Sequence, residues 1–327
     1  MSDVLLEPAA DLAAEAALLE IAEEIGVSGL LDAGTDFSAA ELAAAAAAPA
    51  GPVTAFLEAL LAADLVRRTA DPDRFRACDD LADRRYRAGY LSWALTANRP
   101  YLTHAAEFLH DPAAAAGKYQ RDGRWVALSS RWVGVQGFYG SAVGEILAHR
   151  PKRIVDLGAG AGGLLIQLLR ALPDSTAVAV DLSAAACAEA ERAASRAGVA
   201  DRLRVLNRPI QSLVADPSPA EGADVIHAGF VLHDVAGEPG MLDGVLRAGR
   251  GSLAGGGRVV VTDAVPYVAD RRERAFSALF SYLHAACMGV RLPTEAEWSA
   301  AFRRAGFTDV SCVPLRLPGS RMFVAAG

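Results

Sequence analysis

From about residue 150 onward the chain alternates short, β-branched apolar runs with helical stretches, and this alternation restricts the fold more than any other feature of the sequence. The runs "RIVDLG", "AVAVDL", "RLRVLN", "ADVIHAGFVL", "GRVVVTDAV", "FTDVSCVPL" and "SRMFVAA" read as strands. Between them, "LLIQLLRAL", "AAACAEAERAASRAG", "MLDGVLRAGRGSL", "RRERAFSALFSYLHAACM" and "TEAEWSAAFRRAG" read as helices. Nearly continuous apolar strands separated by helices predict a parallel sheet covered on both faces, an α/β domain.

The first of these strands runs into "VDLGAGAGG", with glycines at 158, 160 and 162 ahead of a helix. Such a strand–turn–helix lets backbone approach a ligand closely, but several nucleotide cofactors use it. Two acids narrow the choice. Asp156 precedes the loop, and Asp181 ends the next strand, where a carboxylate can grip the two hydroxyls of a ribose. A dinucleotide loop prefers a wider glycine spacing, and an acid ahead of it opposes pyrophosphate, so a cationic or amino-bearing cofactor is the better expectation.

The N-terminal part has a different pattern. "DLAAEAALLEIAEEIGVSGLL" has helical spacing, and "FSAAELAAAAAAPAGPVTAFLEALLAADLVRR" predicts two more helices, with Ser38 as N-cap, Glu41 three residues on, and Pro52 opening the second. The polar "RRTADPDRFRA" then has hairpin character, completing the order of a winged helix-turn-helix. DNA binding is not expected of it. Residues 1–66 hold a dozen Asp and Glu and neither Lys nor Arg, where phosphate contacts need cations. A dimer interface is the expected use of the apolar faces. The four cysteines are too scattered for a zinc knuckle or a disulfide framework, and no apolar stretch is long enough to span a bilayer, so a cytoplasmic protein is expected, with neither nucleic acid nor membrane as partner.

"GFVLHD", Gly229 to Asp234, ends an apolar run in a histidine and an aspartate. Ligands of open α/β sheets bind at such carboxyl ends of strands, which makes His233 a candidate catalytic group rather than a core histidine.

"VDLGAGAG" with Asp181, then "VLHD", then "LPTEAEWSAAFRRAGF", resembles class I S-adenosylmethionine-dependent methyltransferases, more narrowly the small-molecule branch with an N-terminal winged-helix dimerisation domain. The resemblance implies a Rossmann-like seven-stranded sheet whose last strand is antiparallel, residues 151–327 forming the cofactor-binding catalytic domain. Residues 1–100 would be the winged-helix-like dimerisation domain of a homodimer, and 101–150 a helical linker contributing to the substrate pocket. It also implies that Gly158, Gly160 and Gly162 pack against the methionine portion of S-adenosylmethionine, that Asp181 binds the ribose with Leu182 beside it, and that Asp156 supports the loop. The family's usual Gly-Asp after the third strand is replaced by "NRPIQS", which passes the adenine contact to Asn207 or Gln211. In the O-methyltransferases of this branch a histidine matching His233 deprotonates a substrate hydroxyl, with Asp234 or Asp263 available to orient it.

His284, in the apolar "FSYLHAACMGV", suggests a more specific resemblance, to metal-dependent α-keto acid C-methyltransferases. There His233 and His284 would share a divalent or trivalent ion, iron or zinc, that holds an enolate. The segment "YQRDGRWVALSSRWVGVQGFY" looks like theirs as well, and places Arg121, Arg124 and Arg131 as candidate receptors for a substrate carboxylate, Arg121 foremost. The expectation is therefore C-methylation of an arylpyruvate-like acid. A metal-free O-methyltransferase with His233 as base is the alternative, and a non-catalytic cofactor-sensing regulator the reading from another class.

Overall fold

A computed structural model describes residues 8–327, in two compact units: residues up to 105 with 118–136, and 106–117 with 137–327. The segment 101–150, read from sequence as one linker, is thus shared between both.

In the first unit, helices Pro8–Glu24, Ser28–Asp32, Ala39–Ala45, Ala50–Ala62, Leu81–Leu91 and Gly123–Gly134 accompany a small antiparallel sheet. Its strands are β1 (Phe37–Ser38), β2 (Val66–Arg68) and β3 (Arg74–Ala77), in the order β1-β3-β2. Ser38 caps the third helix as the sequence predicts: its hydroxyl accepts from the Glu41 amide, and the Glu41 carboxylate accepts from the Ser38 amide, so two otherwise orphaned donors are satisfied. The next helix starts at Ala50, two residues before Pro52, with Pro49 at its N-cap. Leu19, Phe37, Leu42, Leu60 and Leu65 are buried in one core, at roughly 1.5–3 kcal/mol each. No single described helix is long and apolar enough to cross a membrane; the pair Ala39–Ala45 and Ala50–Ala62, bent by 112°, passes on length and composition alone. Its Leu42, Val53, Leu57 and Leu60 face the core. The wing arginines Arg67, Arg74 and Arg76 are paired with Asp79, Glu41 and Asp36.

The second unit is built on β4 (Arg153–Leu157), β5 (Thr176–Asp181), β6 (Leu203–Asn207), β7 (Ala223–Gly229), β8 (Leu253–Ala264), β9 (Asp309–Pro314) and β10 (Ser320–Ala326). They lie in the order β6-β5-β4-β7-β8-β10-β9, a seven-stranded Rossmann-like sheet. β4 to β8 are mutually parallel, and β10 is antiparallel to both of its neighbours. The period of two along each strand sorts side chains onto two faces. Val155, Ile226, Val261 and Phe323 join Trp298 and Phe302 on one side, while Ile154, Val225, Val260 and Met322 join Leu165 and Leu168 on the other. Burial on both faces is why these strands read as unbroken apolar runs.

One sequence boundary differs. "ADVIHAGFVL" is not a single strand: β7 ends at Gly229, Phe230 adopts φ +52°, and Leu232–Val235 forms one helical turn. That turn carries His233 out of the sheet.

Candidate active site

The glycine loop joins β4 to helix Gly163–Ala171. Gly158, Gly160 and Gly162 have φ of +72°, +55° and +74°, the left-handed region that strains any residue with a Cβ. The first two do different things. A Cβ on Gly158 would lie 2.8 Å from Val231, so this glycine serves packing beneath the loop; one on Gly160 would meet nothing within 4 Å. Gly160 therefore faces open space, where a cofactor has room. The Gly158 and Ala159 amides donate to Val180 O, tying the loop to β5.

Asp181 holds the same loop from the end of β5. Its Oδ2 accepts from the Gly160 amide and its Oδ1 from the Ser183 amide, each at 2.8 Å. An ionised carboxylate has about four acceptor positions, so two bonds leave room for ribose hydroxyls. Leu182 beside it is 73% exposed, unusual for a leucine and suited to an apolar ring face. Asn207 donates through Nδ2 to the carbonyls of Asp181 and Leu182, so its amide nitrogen is spent holding β5 and β6 together. Gln211 donates instead to Glu238, 3.0 Å away.

Asp156 has a partner that sequence reasoning overlooked. The parallel ladder sets it opposite His227 on β7, and its Oδ1 lies 2.7 Å from His227 Nδ1. Both are almost fully buried. An ionised carboxylate only accepts, so Nδ1 carries the proton. The one signal was a lone histidine inside an apolar strand beside a strand with its own lone acid. The half-buried Tyr139 hydroxyl is pushed up to about 12, chiefly by desolvation and then by the Asp156 charge.

His233 and His284 are brought together, their ring centroids 5.3 Å apart and nearly perpendicular. Asp263, fully buried on β8, accepts from His233 Nδ1 at 2.6 Å, and its oxygens also accept from the amides of His233 and Ala264. Asp263 thus orients the imidazole and fixes its tautomer, placing the lone pair on Nε2. Asp234 has another position: its carboxylate is 60% exposed and lies 3.4 Å from Nε2. His284 donates from Nδ1 to Phe280 O at 2.8 Å, and the Phe280 ring stacks on it at 4.0 Å. Phe230, Phe138 and Phe276 extend this aromatic group.

Arg121, Arg124 and Arg131 all belong to the helical unit. Arg124 pairs with Glu24 and Arg131 with Glu23, and Arg121 is half-buried ahead of Gly123–Gly134. Among the described residues no group of three or more His, Cys, Asp or Glu is arranged to hold a metal ion.

Residues 155–259 match the family described as a methyltransferase domain. Over 174 residues the chain is 30% identical to 3-hydroxy-5-methyl-1-naphthoate 3-O-methyltransferase of Streptomyces sahachiroi, covering 53% of this chain and 48% of that protein. Over 175 residues it is 31% identical to demethylspheroidene O-methyltransferase of Cereibacter sphaeroides, covering 54% and 43% respectively. The chain thus spans about half the length of the curated relatives it matches. Human N-acetylserotonin methyltransferase, solved in complex with S-adenosylmethionine, superposes with a TM-score of 0.60 at 17% identity, covering 100% of this chain and 99% of that one. That likeness shows the fold, a class I methyltransferase sheet accompanied by a helical N-terminal region.

Proposed function

We propose that this protein is an S-adenosylmethionine-dependent O-methyltransferase acting on a hydroxyl of an aromatic small molecule. The observation that carries the reading is the His233–Asp263 pair at the carboxyl end of β7, with Nδ1 committed to a buried carboxylate and the lone pair on Nε2. O-methylation is better supported than the C-methylation expected from sequence, because the naphthoate and demethylspheroidene enzymes are among the curated relatives and are named for it.

When bound, S-adenosylmethionine supplies an electrophilic methyl group on a positively charged sulfur. The residues present fit such a group: open space over Gly160, a carboxylate at Asp181 with acceptor positions to spare, and an exposed Leu182. Gln211 and Glu238 supply polar groups for the adenine. His233 Nε2 takes the hydroxyl proton as the substrate oxygen becomes a nucleophile, and Asp263 stabilises the resulting imidazolium without itself taking the proton. The exposed Asp234 carboxylate, 3.4 Å from Nε2, offers that proton a route to solvent. Phe138, Phe230 and Phe280 give a planar substrate faces to stack on.

The juxtaposed histidines favour a second reading. In both, a carboxylate or carbonyl holds Nδ1, as in metal-ligating imidazoles, with substrate oxygens needed to complete the coordination. One experiment separates the two. With an acidic naphthol as substrate, His233→Ala is expected to lower kcat by about 10²–10⁴-fold. Activity should survive a chelator, and His284→Ala should retain substantial turnover. Loss of turnover on chelation, together with equal losses from either histidine, refutes the metal-free reading.

A further inference from the structure

Asp156 stands two residues ahead of Gly158, on the strand that feeds the glycine loop, and is only 4% exposed. His227 Nδ1 holds its Oδ1. Oδ2 receives no hydrogen bond among the described residues, yet it keeps contact with open space, unlike His227 Nε2, which is sealed in the core without a partner. No described Lys or Arg pairs with this carboxylate. Tyr139, which feels the same charge, brings no cation either: desolvation, and then Asp156, keep the phenol protonated, pushed up to about 12. A buried carboxylate ordinarily has a cation or several donors, so one with a single N–H and a free oxygen calls for a positive donor from outside the chain.

The identity of the one protein donor matters. Arginine or lysine in its place would neutralise the carboxylate, whereas imidazole holds it through one N–H and stays uncharged. A second proton, on Nε2, would be a buried N–H without an acceptor. His227 therefore orients Asp156 and leaves its negative charge in place. The parallel ladder sets the two residues opposite each other, and a Cβ on Gly229 would lie 3.1 Å from His227 Cε1, so the glycine leaves the ring its position.

We infer that His227 is a positioning residue for the cofactor, turning Asp156 so that Oδ2 receives the α-ammonium group of the methionine portion. The inference rests on the S-adenosylmethionine reading above and adds to it the residue that governs recognition of the amino-acid end.

The test compares S-adenosylhomocysteine with its analogue lacking the α-amino group, by calorimetry on the full chain. The unaltered protein should prefer the amino compound by roughly 10- to 100-fold, the worth of a hydrogen bond between charged groups. His227→Asn, which keeps a donor near the place of Nδ1, should retain that preference to within about threefold. His227→Leu should reduce it to about threefold or less while leaving the analogue's own affinity nearly unchanged. A merely structural role would weaken both ligands alike, and that result, or an asparagine variant no better than leucine, overturns the inference. A second readout needs only the unaltered protein: the His227 Nδ1 proton resonance, assigned by its loss in His227→Asn, should move upfield with S-adenosylhomocysteine, whose ammonium draws the carboxylate charge away, and much less with the analogue. Equal movement overturns the inference even where His227→Leu fails to fold. S-adenosylhomocysteine that binds no better than the analogue overturns this inference alone; failure to bind at all overturns the cofactor reading and the inference with it.

Discussion

Gly158 and Gly160 share a backbone conformation, yet alanine at the two positions should have different consequences. Each substitution places a Cβ at positive φ, +72° and +55°, at roughly 1–2 kcal/mol for leaving the left-handed region's one tolerant residue type. At Gly160 that is the whole cost to the fold, because nothing lies within 4 Å of the new methyl. At Gly158 the methyl meets three atoms of Val231 at 2.8, 2.9 and 3.0 Å, and overpacking of this kind adds roughly 1–3 kcal/mol. The totals are about 2–5 kcal/mol for Gly158→Ala and about 1–2 for Gly160→Ala. At roughly 2–4 °C of melting temperature per kcal/mol, the first should melt some 4–20 °C low and the second 2–8 °C low. Calorimetry with S-adenosylhomocysteine should give the reverse order, the larger affinity loss per degree of melting falling on Gly160→Ala. Adding Val231→Ala to Gly158→Ala removes two of the three crowded atoms and should recover part of the loss, a coupling of about 0.5–3 kcal/mol. Equal melting temperatures for the two alanine variants, or strictly additive effects of Gly158→Ala and Val231→Ala, would refute the reasoning.

Three further outcomes are expected. His227→Leu strands the Asp156 carboxylate in the core and should cost about 3–5 kcal/mol in urea unfolding, whereas adding Asp156→Asn should cost less than the sum of the two. The Cys78 and Cys312 thiols are both raised to about 11, chiefly by burial, so the reactive thiolate forms only in strong base: iodoacetamide labelling should climb about tenfold per pH unit from 8 to 10 with no plateau. We also expect a homodimer, for which light scattering at micromolar concentration should report about twice the 34.1 kDa chain mass.

Much of the fold is legible because its signals are local. The Ser38–Glu41 capping box needs only four residues, and the inner strands β4, β5, β7 and β10 announce themselves by being buried on both faces. What escapes is what depends on a neighbour across the sheet. "ADVIHAGFVL" reads as one strand because periodicity cannot tell a buried strand from the first turn of a buried helix, and Gly229 is the only punctuation between them. His227 is invisible as a partner of Asp156 until β4 and β7 are known to be adjacent and in that register. The sequence leaves Asp234 and Asp263 as equal candidates for orienting His233, and burial and distance separate them. The glycine loop reads as a ligand cradle, yet no pattern of spacing reveals that Gly158 answers to Val231.

The place of β10 between β8 and β9 has a consequence for the order in which the chain can assemble during synthesis. Strands β4 to β8 emerge early and can register against one another as they appear, each finding a neighbour already made. β9 cannot, because its ladder is with β10 alone. Until Ser320–Ala326 leaves the ribosome, β9 is a strand without a template, and the Val259–Val260–Val261 edge of β8 is open along its length. An unpaired apolar edge is the kind of surface on which partly made chains adhere to one another. The insertion of one seven-residue strand therefore closes that edge and gives β9 its partner in a single late event.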